Sequence, residues 1–214
     1  MANRSTSGFG LRMAMRLGNT PAIGGQSKYA IKSGLGVGIF KGNPASIQLA
    51  GDTGFIQDSA FSTTDDGNDG GIDFTTANDA LLVGVHNGVF FIDGTTNKPT
   101  FANSVAASAT FGTNPNTGST NGVAFVNDDP DQEYVVKADA AVGQAIFGLC
   151  GNINDFAAGD AKDGASTATF DSGTQGETKM FRIVRSAEDP DNEDLTAAGA
   201  NIIVVINAAA NTYR

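Results

Sequence analysis

The sequence is poor in the residues from which most catalytic and metal sites are built. Its 214 residues include one cysteine, one histidine and no tryptophan. A single cysteine excludes a disulfide within the chain. One cysteine and one histidine also fall short of the four nitrogen or sulfur ligands of a structural zinc site. No phosphate-binding GxxxxGKS or GxxxxGKT loop and no GxGxxG turn occurs. We therefore expect no enzyme activity and no cofactor.

The lone histidine and the lone cysteine are both predicted to have structural roles. His86 precedes an Asn-Gly pair, which strongly favours a two-residue hairpin turn. The apolar runs 81–85 and 89–92 would be the two strands of that hairpin, which places the histidine at an exposed tip. Cys150 ends the apolar run AIFGLC, and a free cysteine in such a run is usually buried.

Charge is also scarce and mostly negative. Charged residues make up 17% of the chain, the formal net charge is −10 and the estimated pI is about 4.3. Nucleic-acid binding depends on lysine and arginine contacts to phosphate, so no nucleic-acid partner is expected. No stretch approaches the ~18 apolar residues of a membrane span, and the arginines near the start lack the apolar stretch of a secretory signal. We therefore expect no membrane partner and assembly in a cytoplasm.

The few basic residues are unevenly placed. No acidic residue precedes Asp52, whereas the first 50 residues carry six basic ones: Arg4, Arg12, Arg16, Lys28, Lys32 and Lys41. Residues 1–26 are also irregular, which predicts an extended basic arm before an acidic β domain at 27–214. This arm either folds back and pairs with its own body or becomes ordered on a partner surface.

The remaining chain predicts a mostly β fold, either a single β-barrel or a jelly-roll-like sandwich with long loops. Its 28 glycines and frequent Asn and Asp separate short apolar runs, as in sandwiches and barrels. Loop insertions are expected near 62–79, 104–121 and 157–176. The run 145–149 fits either a strand or a short helix. Beyond the hairpin above, strands are predicted at 29–32, 36–40, 46–50, 123–126, 133–137, 179–185 and 201–207. The last is the strongest and is expected to close the sheet.

Two acidic clusters allow two interpretations. Asp128, Asp129 and Asp131 surround a proline, and a similar cluster spans 189–194. Carboxylates at this spacing could bind calcium, but the second cluster lacks the glycine and closing glutamate of an EF-hand loop. Proline and aspartate together more often form a tight turn, so the turn is the preferred interpretation.

Four segments resemble, in order, a family of head decoration or cement proteins of tailed bacteriophages. They are GFGLRMAMRLGNTPAIGGQSKYAIKSG at 8–34, VGVHNGVFFIDGTTNKPTFANSVAAS at 83–108, VAFVNDDPDQEYVVKAD at 123–139 and RSAEDPDNEDLTAAGANIIVVINAAA at 185–210. Two features depart from the family pattern. Phe101 stands where a tryptophan often follows the Lys-Pro pair, and loops 62–79 and 104–121 are long.

The resemblance implies a virion structural protein that binds the outer surface of a phage head and stabilises contacts between capsomers. Its partners would be the major capsid protein and further copies of itself, as a homotrimer. Candidate capsid contacts are Arg4, Arg12, Arg16, Lys28 and Lys32. Three alternatives remain open: another virion component (tail, fibre or major capsid protein), a calcium-dependent β adhesin or carbohydrate-binding module, and an enzyme with an acidic site.

Overall fold

The computed structural model describes residues 3–18, 20–22, 25–47, 54–58, 82–154, 159–176, 179–211 and 213. Strands account for 47% and helices for 4% of the structure, and one of its antiparallel sheets curls into a half barrel. The prediction of a mostly β sandwich or barrel is therefore confirmed. The described helices are two 3-10 turns, Gln144–Ile146 and Ala208–Ala210. No helix in these ranges has the length and apolar character needed to cross a membrane.

The first sheet contains seven strands. In spatial order they are β13 (Thr169–Gly176), β12 (Cys150–Asn154), β14 (Phe181–Ser186), β15 (Asn201–Ile206), β11 (Gln132–Lys137), β1 (Arg12–Arg16) and β2 (Thr20–Pro21). All six residues of β15 are buried, because β14 and β11 flank this β-branched strand. The strand predicted at 201–207 is thus present, but it lies inside the sheet rather than closing it.

The second sheet contains six strands, and β7 (Leu82–Ile92) is its longest. The spatial order is β3 (Ser27–Ile31), β10 (Gly122–Asn127), β7, β5 (Pro44–Ile47) and β6 (Ile56–Asp58), and β8 (Pro99–Ala102) also pairs with β7. A small third sheet joins β4 (Ile39–Phe40) to β9 (Ser104–Val105). Because β7 pairs with β10 on one side and with β5 and β8 on the other, it is the central strand of this sheet.

The hairpin predicted at the Asn-Gly pair is wrong, because β7 runs straight through it. On β10, Phe125 lies opposite Gly88 and Val126 lies opposite His86, so Asn87 is an extra residue in β7. Gly88 has φ 154°, which L side chains rarely adopt. The pair therefore forms a β-bulge instead of a turn. In consequence His86 is 1% exposed rather than at a tip, and its amide donates to the Asn43 carbonyl at 2.9 Å.

Two buried clusters form the core. The first cluster is formed mainly by residues of the first sheet, among them Tyr134, Phe170 and Phe181. The second is formed mainly by residues of the second sheet, among them Ile31, Val89 and Val126. Strand β7 contributes to both, since Leu82 and Val85 belong to the first cluster and Val83 and Val89 to the second. Cys150 is 1% exposed, which confirms the predicted burial.

The loop predictions are correct only in part. The region 104–121 contains just the two-residue β9, but the region 157–176 includes all of β13, an eight-residue strand. Gly151 permits that strand to pack closely, since a Cβ on it would lie 2.3 Å from the Phe170 ring. The insertion at 62–79 lies outside the described residues. The ambiguous run 145–149 begins in a 3-10 turn and leads into β12.

Candidate interaction surface

The outer side of the second sheet carries three phenylalanines. Along β10, Gly122, Ala124 and Val126 are buried, so Phe125 points to the opposite side of the sheet. Its cross-strand partner on β7 is Gly88, two residues before Phe90. Phe90 in turn lies opposite Phe101 on β8. We call Phe90, Phe101 and Phe125 the aromatic face.

The three rings of the aromatic face pack on one another. The centroids of Phe90 and Phe101 are 4.6 Å apart, and those of Phe101 and Phe125 are 6.3 Å apart. These separations fall in the range of favourable aromatic pairs. Phe101 nevertheless remains 74% exposed, more than any other large hydrophobic residue among those described. An exposed aromatic side chain held in place by its neighbours is typical of the anchors of protein interfaces.

Polar groups border the aromatic face. A groove of about 470 Å³ runs beside Phe101 and includes Gln26, Asn87 and Asn103. The Asn87 amide donates to Gln26 Oε1 at 2.9 Å. Lys28 lies opposite Phe125 in the pairing of β3 with β10 and is exposed. The face therefore combines an apolar centre with amide groups and one cation at its border.

Two of the five predicted contact residues pair with carboxylates of the same chain. Arg4 donates to Asp191 Oδ2 at 2.8 Å, and both side chains are largely exposed. Arg16 contacts Asp129 Oδ2 at 2.6 Å and Asp131 Oδ2 at 3.7 Å. These contacts match the first interpretation of the basic arm, in which it pairs with its own acidic body.

The other three predicted contact residues lie in different surroundings. The Arg12 guanidinium carbon is 4.3 Å from the centre of the Phe9 ring, at cation–π distance. Lys28 borders the aromatic face, and Lys32 is half-buried just after β3. The five residues therefore do not form one basic patch. Within the described ranges, no carboxylate contact is found for Arg12 or Lys28.

Backbone and side-chain hydrogen bonds hold the N-terminal segment, residues 3–11, on the body. Asn3 donates to the carbonyls of Asp194, Ala197 and Ala198 at 3.0, 3.3 and 2.9 Å. The Gly10 amide donates to the Ala168 carbonyl at 3.0 Å. This segment is therefore part of the folded domain, and β1 continues it as a strand of the first sheet.

Buried Lys137 fixes the middle of the N-terminal segment. Its ammonium donates to the carbonyls of Ser5 and Gly199 at 2.9 and 3.1 Å and to Asn192 Oδ1 at 3.3 Å. Burial lowers the pKa of Lys137, while the charge of Asp189 opposes that change. A buried lysine with three oxygen acceptors is a structural anchor.

Aspartates of the two acidic clusters serve as turn acceptors. Asp129 Oδ1 accepts from the Asp131 amide at 3.0 Å, and Asp189 Oδ1 accepts from the Asp191 amide at 3.1 Å. The side chains of Asn192 and Asn201 also donate to Asp189, and the hydrogen bond from Asn192 contributes most to lowering its pKa. This geometry agrees with the turn interpretation. In the part of the chain that the structure describes, no three His, Cys, Asp or Glu side chains cluster as metal ligands do.

A tyrosine links the edge of the second sheet to the first acidic turn. The Tyr29 hydroxyl donates to Asp128 Oδ2 at 2.8 Å and also contacts the Tyr213 hydroxyl. Burial, these hydrogen bonds and the nearby negative charge all raise the pKa of Tyr29. The tyrosine therefore stays neutral at ordinary pH and ties β3 to the turn that holds Arg16.

The sequence pattern alone does not identify the aromatic face. It marks Phe101 only as a replacement for tryptophan, and it places Phe90 and Phe125 in strands without showing which side of the sheet they face. The signal lies in the alternation of β10, where Phe125 stands between Ala124 and Val126, whose side chains are buried. A phenylalanine on the expected outer side of a strand predicts an exposed apolar face.

Comparisons with known proteins identify no relative. None of the family models, curated proteins or solved structures compared with this chain matches it.

Proposed function

We propose that this protein is a structural component of a tailed-bacteriophage virion that decorates the outer surface of the head. In this role it contacts the major capsid protein and stabilises the junctions between capsomers, working as a homotrimer. The order of the four segments at 8–34, 83–108, 123–139 and 185–210 supports this assignment. The structural observation that carries it is the exposed aromatic face around Phe101.

A decoration protein needs a rigid body with an adhesive surface rather than a catalytic cleft. Here the two sheets bury their apolar side chains in two clusters, which leaves the aromatic face as an apolar surface directed to solvent. Aromatic side chains bury a large area on binding and lose little conformational entropy when they are already packed. In a trimer, three such faces would bind together, so a weak individual contact becomes effective.

The experiment is co-sedimentation of the purified protein with heads that lack it. The Phe101→Ser variant is expected to reduce head binding at least about tenfold, because it removes an interface anchor. Leu149→Ser is the matched control, since Leu149 is 42% exposed and lies before β12 in the first sheet. Equal binding by wild type and Phe101→Ser would contradict the docking face, and no binding by wild type would contradict the decoration role.

The proposed trimer is tested separately by sedimentation equilibrium. A mass of three chains, free or on heads, supports it, whereas a monomer in both states contradicts it. Because the aromatic face is small, the trimer contacts are expected to lie elsewhere on the surface. Phe101→Ser should therefore leave the mass unchanged while head binding falls.

The groove beside Phe101 favours carbohydrate binding as a second candidate function. An exposed aromatic ring next to the amides of Asn87, Gln26 and Asn103 offers a stacking surface and hydrogen-bond groups, as sugars require. Screening against a glycan panel, with and without chelator, separates the two functions. Saturable sugar binding that Phe101→Ser abolishes supports the second candidate. If the wild-type protein binds no sugar, carbohydrate binding is contradicted and the decoration role stands as the proposal.

A further inference from the structure

A separate pocket of about 450 Å³ lies where the N-terminal segment meets β1, β7 and the end of β10. Its apolar wall includes Phe9, Leu11, Met13 and Val85. This volume falls within the range of small-molecule sites in proteins. The pocket shares Asn87 with the groove of the aromatic face, but none of the three phenylalanines of that face lines it.

Two cations also line this pocket. The Arg12 guanidinium packs on the Phe9 ring, which orients it. Lys41 also lines the pocket, and hydrogen bonds from both its amide and its carbonyl fix its backbone. The Lys41 amide donates to the Gly164 carbonyl at 3.0 Å, and its carbonyl accepts from the Ser166 amide at 2.9 Å. No contact between either cation and a carboxylate is found within the described ranges. Such a pair is notable in a chain with 23 acidic and 13 basic residues.

One wall of the pocket also contains an unsatisfied polar group. Asn127 is 3% exposed, its side-chain nitrogen contacts the Met13 sulfur, and its Oδ1 has no hydrogen-bond donor among the described residues. Buried polar atoms without partners are uncommon in native structures, and this oxygen would accept from a donor such as water rather than bind an anion. The pocket thus combines an apolar wall, two cations and a buried amide.

We propose that this pocket binds a small apolar organic anion, an aromatic or short aliphatic carboxylate. The apolar body of the ligand packs against Phe9, Leu11 and Val85, and its carboxylate binds Arg12 and Lys41. Charge complementarity selects the anion, because an uncharged ligand would leave both cations unpaired in the complex. A strongly hydrated inorganic anion would not use the apolar wall.

The test is fluorescence titration with 8-anilinonaphthalene-1-sulfonate, an apolar anion, followed by competition with 4-phenylbutyrate. One saturable site per chain is expected, and the carboxylate should displace the probe. Arg12→Gln and Lys41→Gln are each expected to weaken probe binding about tenfold, since each removes a charge-assisted contact. Affinity should also fall as the salt concentration rises.

Matched control variants show whether the probe binds in this pocket or elsewhere on the protein. Lys28→Gln removes a basic residue that does not line the pocket, and Phe101→Ser removes the exposed ring of the aromatic face; neither should change affinity. Circular dichroism of each variant verifies that the fold is retained, and Arg12→Lys should bind more tightly than Arg12→Gln. The proposal is overturned if Phe101→Ser abolishes binding, if the Arg12 and Lys41 variants bind as wild type does, or if 4-phenylbutyrate displaces no probe.

Discussion

Glu133 is a buried carboxylate on the side of the first sheet opposite Tyr134. Its side chain is 1% exposed and binds Arg185 through two hydrogen bonds, of 2.7 and 2.6 Å. The hydrogen bond to Glu133 is also the main reason that the pKa of Arg185 is raised. Since Arg185 itself is 38% exposed, solvent weakens part of this interaction.

The Glu133→Gln variant should lower the free energy of unfolding by about 1–3 kcal/mol, because a neutral amide replaces one end of a bidentate charged pair. Urea denaturation measures the change. Glu193→Gln alters the same charge at an exposed position and should stay within about 0.5 kcal/mol of wild type. Equal stability of Glu133→Gln and Glu193→Gln would contradict a structural role for the pair.

At the level of single residues, the sequence predicts a role correctly where the contacts of the side chain are to its neighbours in the chain. The aspartates of 128–131 and 189–194 cap turns with their own backbone, which needs only neighbouring residues. His86 shows the limit. Its burial depends on β5 and β10 covering β7, and those contacts connect residues distant in the sequence.

Strand β7 depends on a close approach at Gly84. A Cβ at this position would lie 2.0 Å from the Asn127 carbonyl oxygen on β10, and backbone atoms cannot move aside cheaply. Gly84→Ala should therefore destabilise the protein by about 1–3 kcal/mol, as overpacked sites do. Thermal denaturation measures the loss.

Gly36→Ala is the matched control for Gly84→Ala. A Cβ at Gly36 meets no atom within 4 Å, so this substitution should be neutral or slightly stabilising. If the two variants melt at the same temperature, the pairing of β7 with β10 is not as close as described.

The N-terminal segment should loosen when its anchor is removed. Lys137→Met keeps the length of the side chain but cannot donate to the Ser5 and Gly199 carbonyls. We expect faster hydrogen exchange at the amides of Arg4 and Gly10, which the wild-type segment protects by bonds to the body. Lys162→Met changes an exposed lysine and should leave exchange at both amides unaltered. Unchanged exchange in Lys137→Met would show that other bonds suffice to hold the segment.

This attachment also bears on the basic arm. Deleting residues 1–20 would remove β1 from the first sheet along with Arg4, Arg12 and Arg16, so loss of head binding could reflect damage to the fold. Single substitutions such as Arg4→Gln test the arm without that damage. Irregularity and charge predict an extended arm here, and the pairing of β1 with β11 is a long-range contact that periodicity does not reveal.

For the whole molecule, acid should weaken the fold. Hydrogen bonds, from Asn192 to Asp189 and from Thr196 to Asp194, lower the pKa of both carboxyl groups in the folded state. A lowered folded pKa gives stability that is fully present above the unfolded value of about 3.9 and is lost as pH falls through the folded value. The melting temperature should therefore stay level from neutral pH to about pH 5 and fall below about pH 4.

The Asp189→Asn, Asp194→Asn double variant tests that explanation. It should melt below wild type at neutral pH, because an amide is a weaker acceptor than a carboxylate. It should also show a shallower decline in acid, since two of the titrating groups are gone. A decline as steep as that of wild type would assign the acid sensitivity to other carboxylates.

The overall β class followed from the sequence, whereas the arrangement of sheets did not. Short apolar runs between turn residues predict strands through local preference, as at 123–126 and 133–137, which lie within β10 and β11. Strand order depends on pairings such as β1 with β11 and β7 with β5. The sequence of the eight-residue β13, TFDSGTQG, is polar and contains glycine, so it predicts a loop. The strand forms through long-range contacts, namely its pairing with β12 and the bridge from Ala138 to Phe170.

Cryo-electron microscopy of virions whose genome carries this sequence would show where the chain lies. For a decoration protein we expect ordered density for this chain on the outside of the head at the junctions of capsomers. The aromatic face around Phe101 should be directed at the shell. Density with that face directed to solvent would contradict the proposal that the aromatic face contacts the capsid. A head without the chain would contradict the decoration role itself.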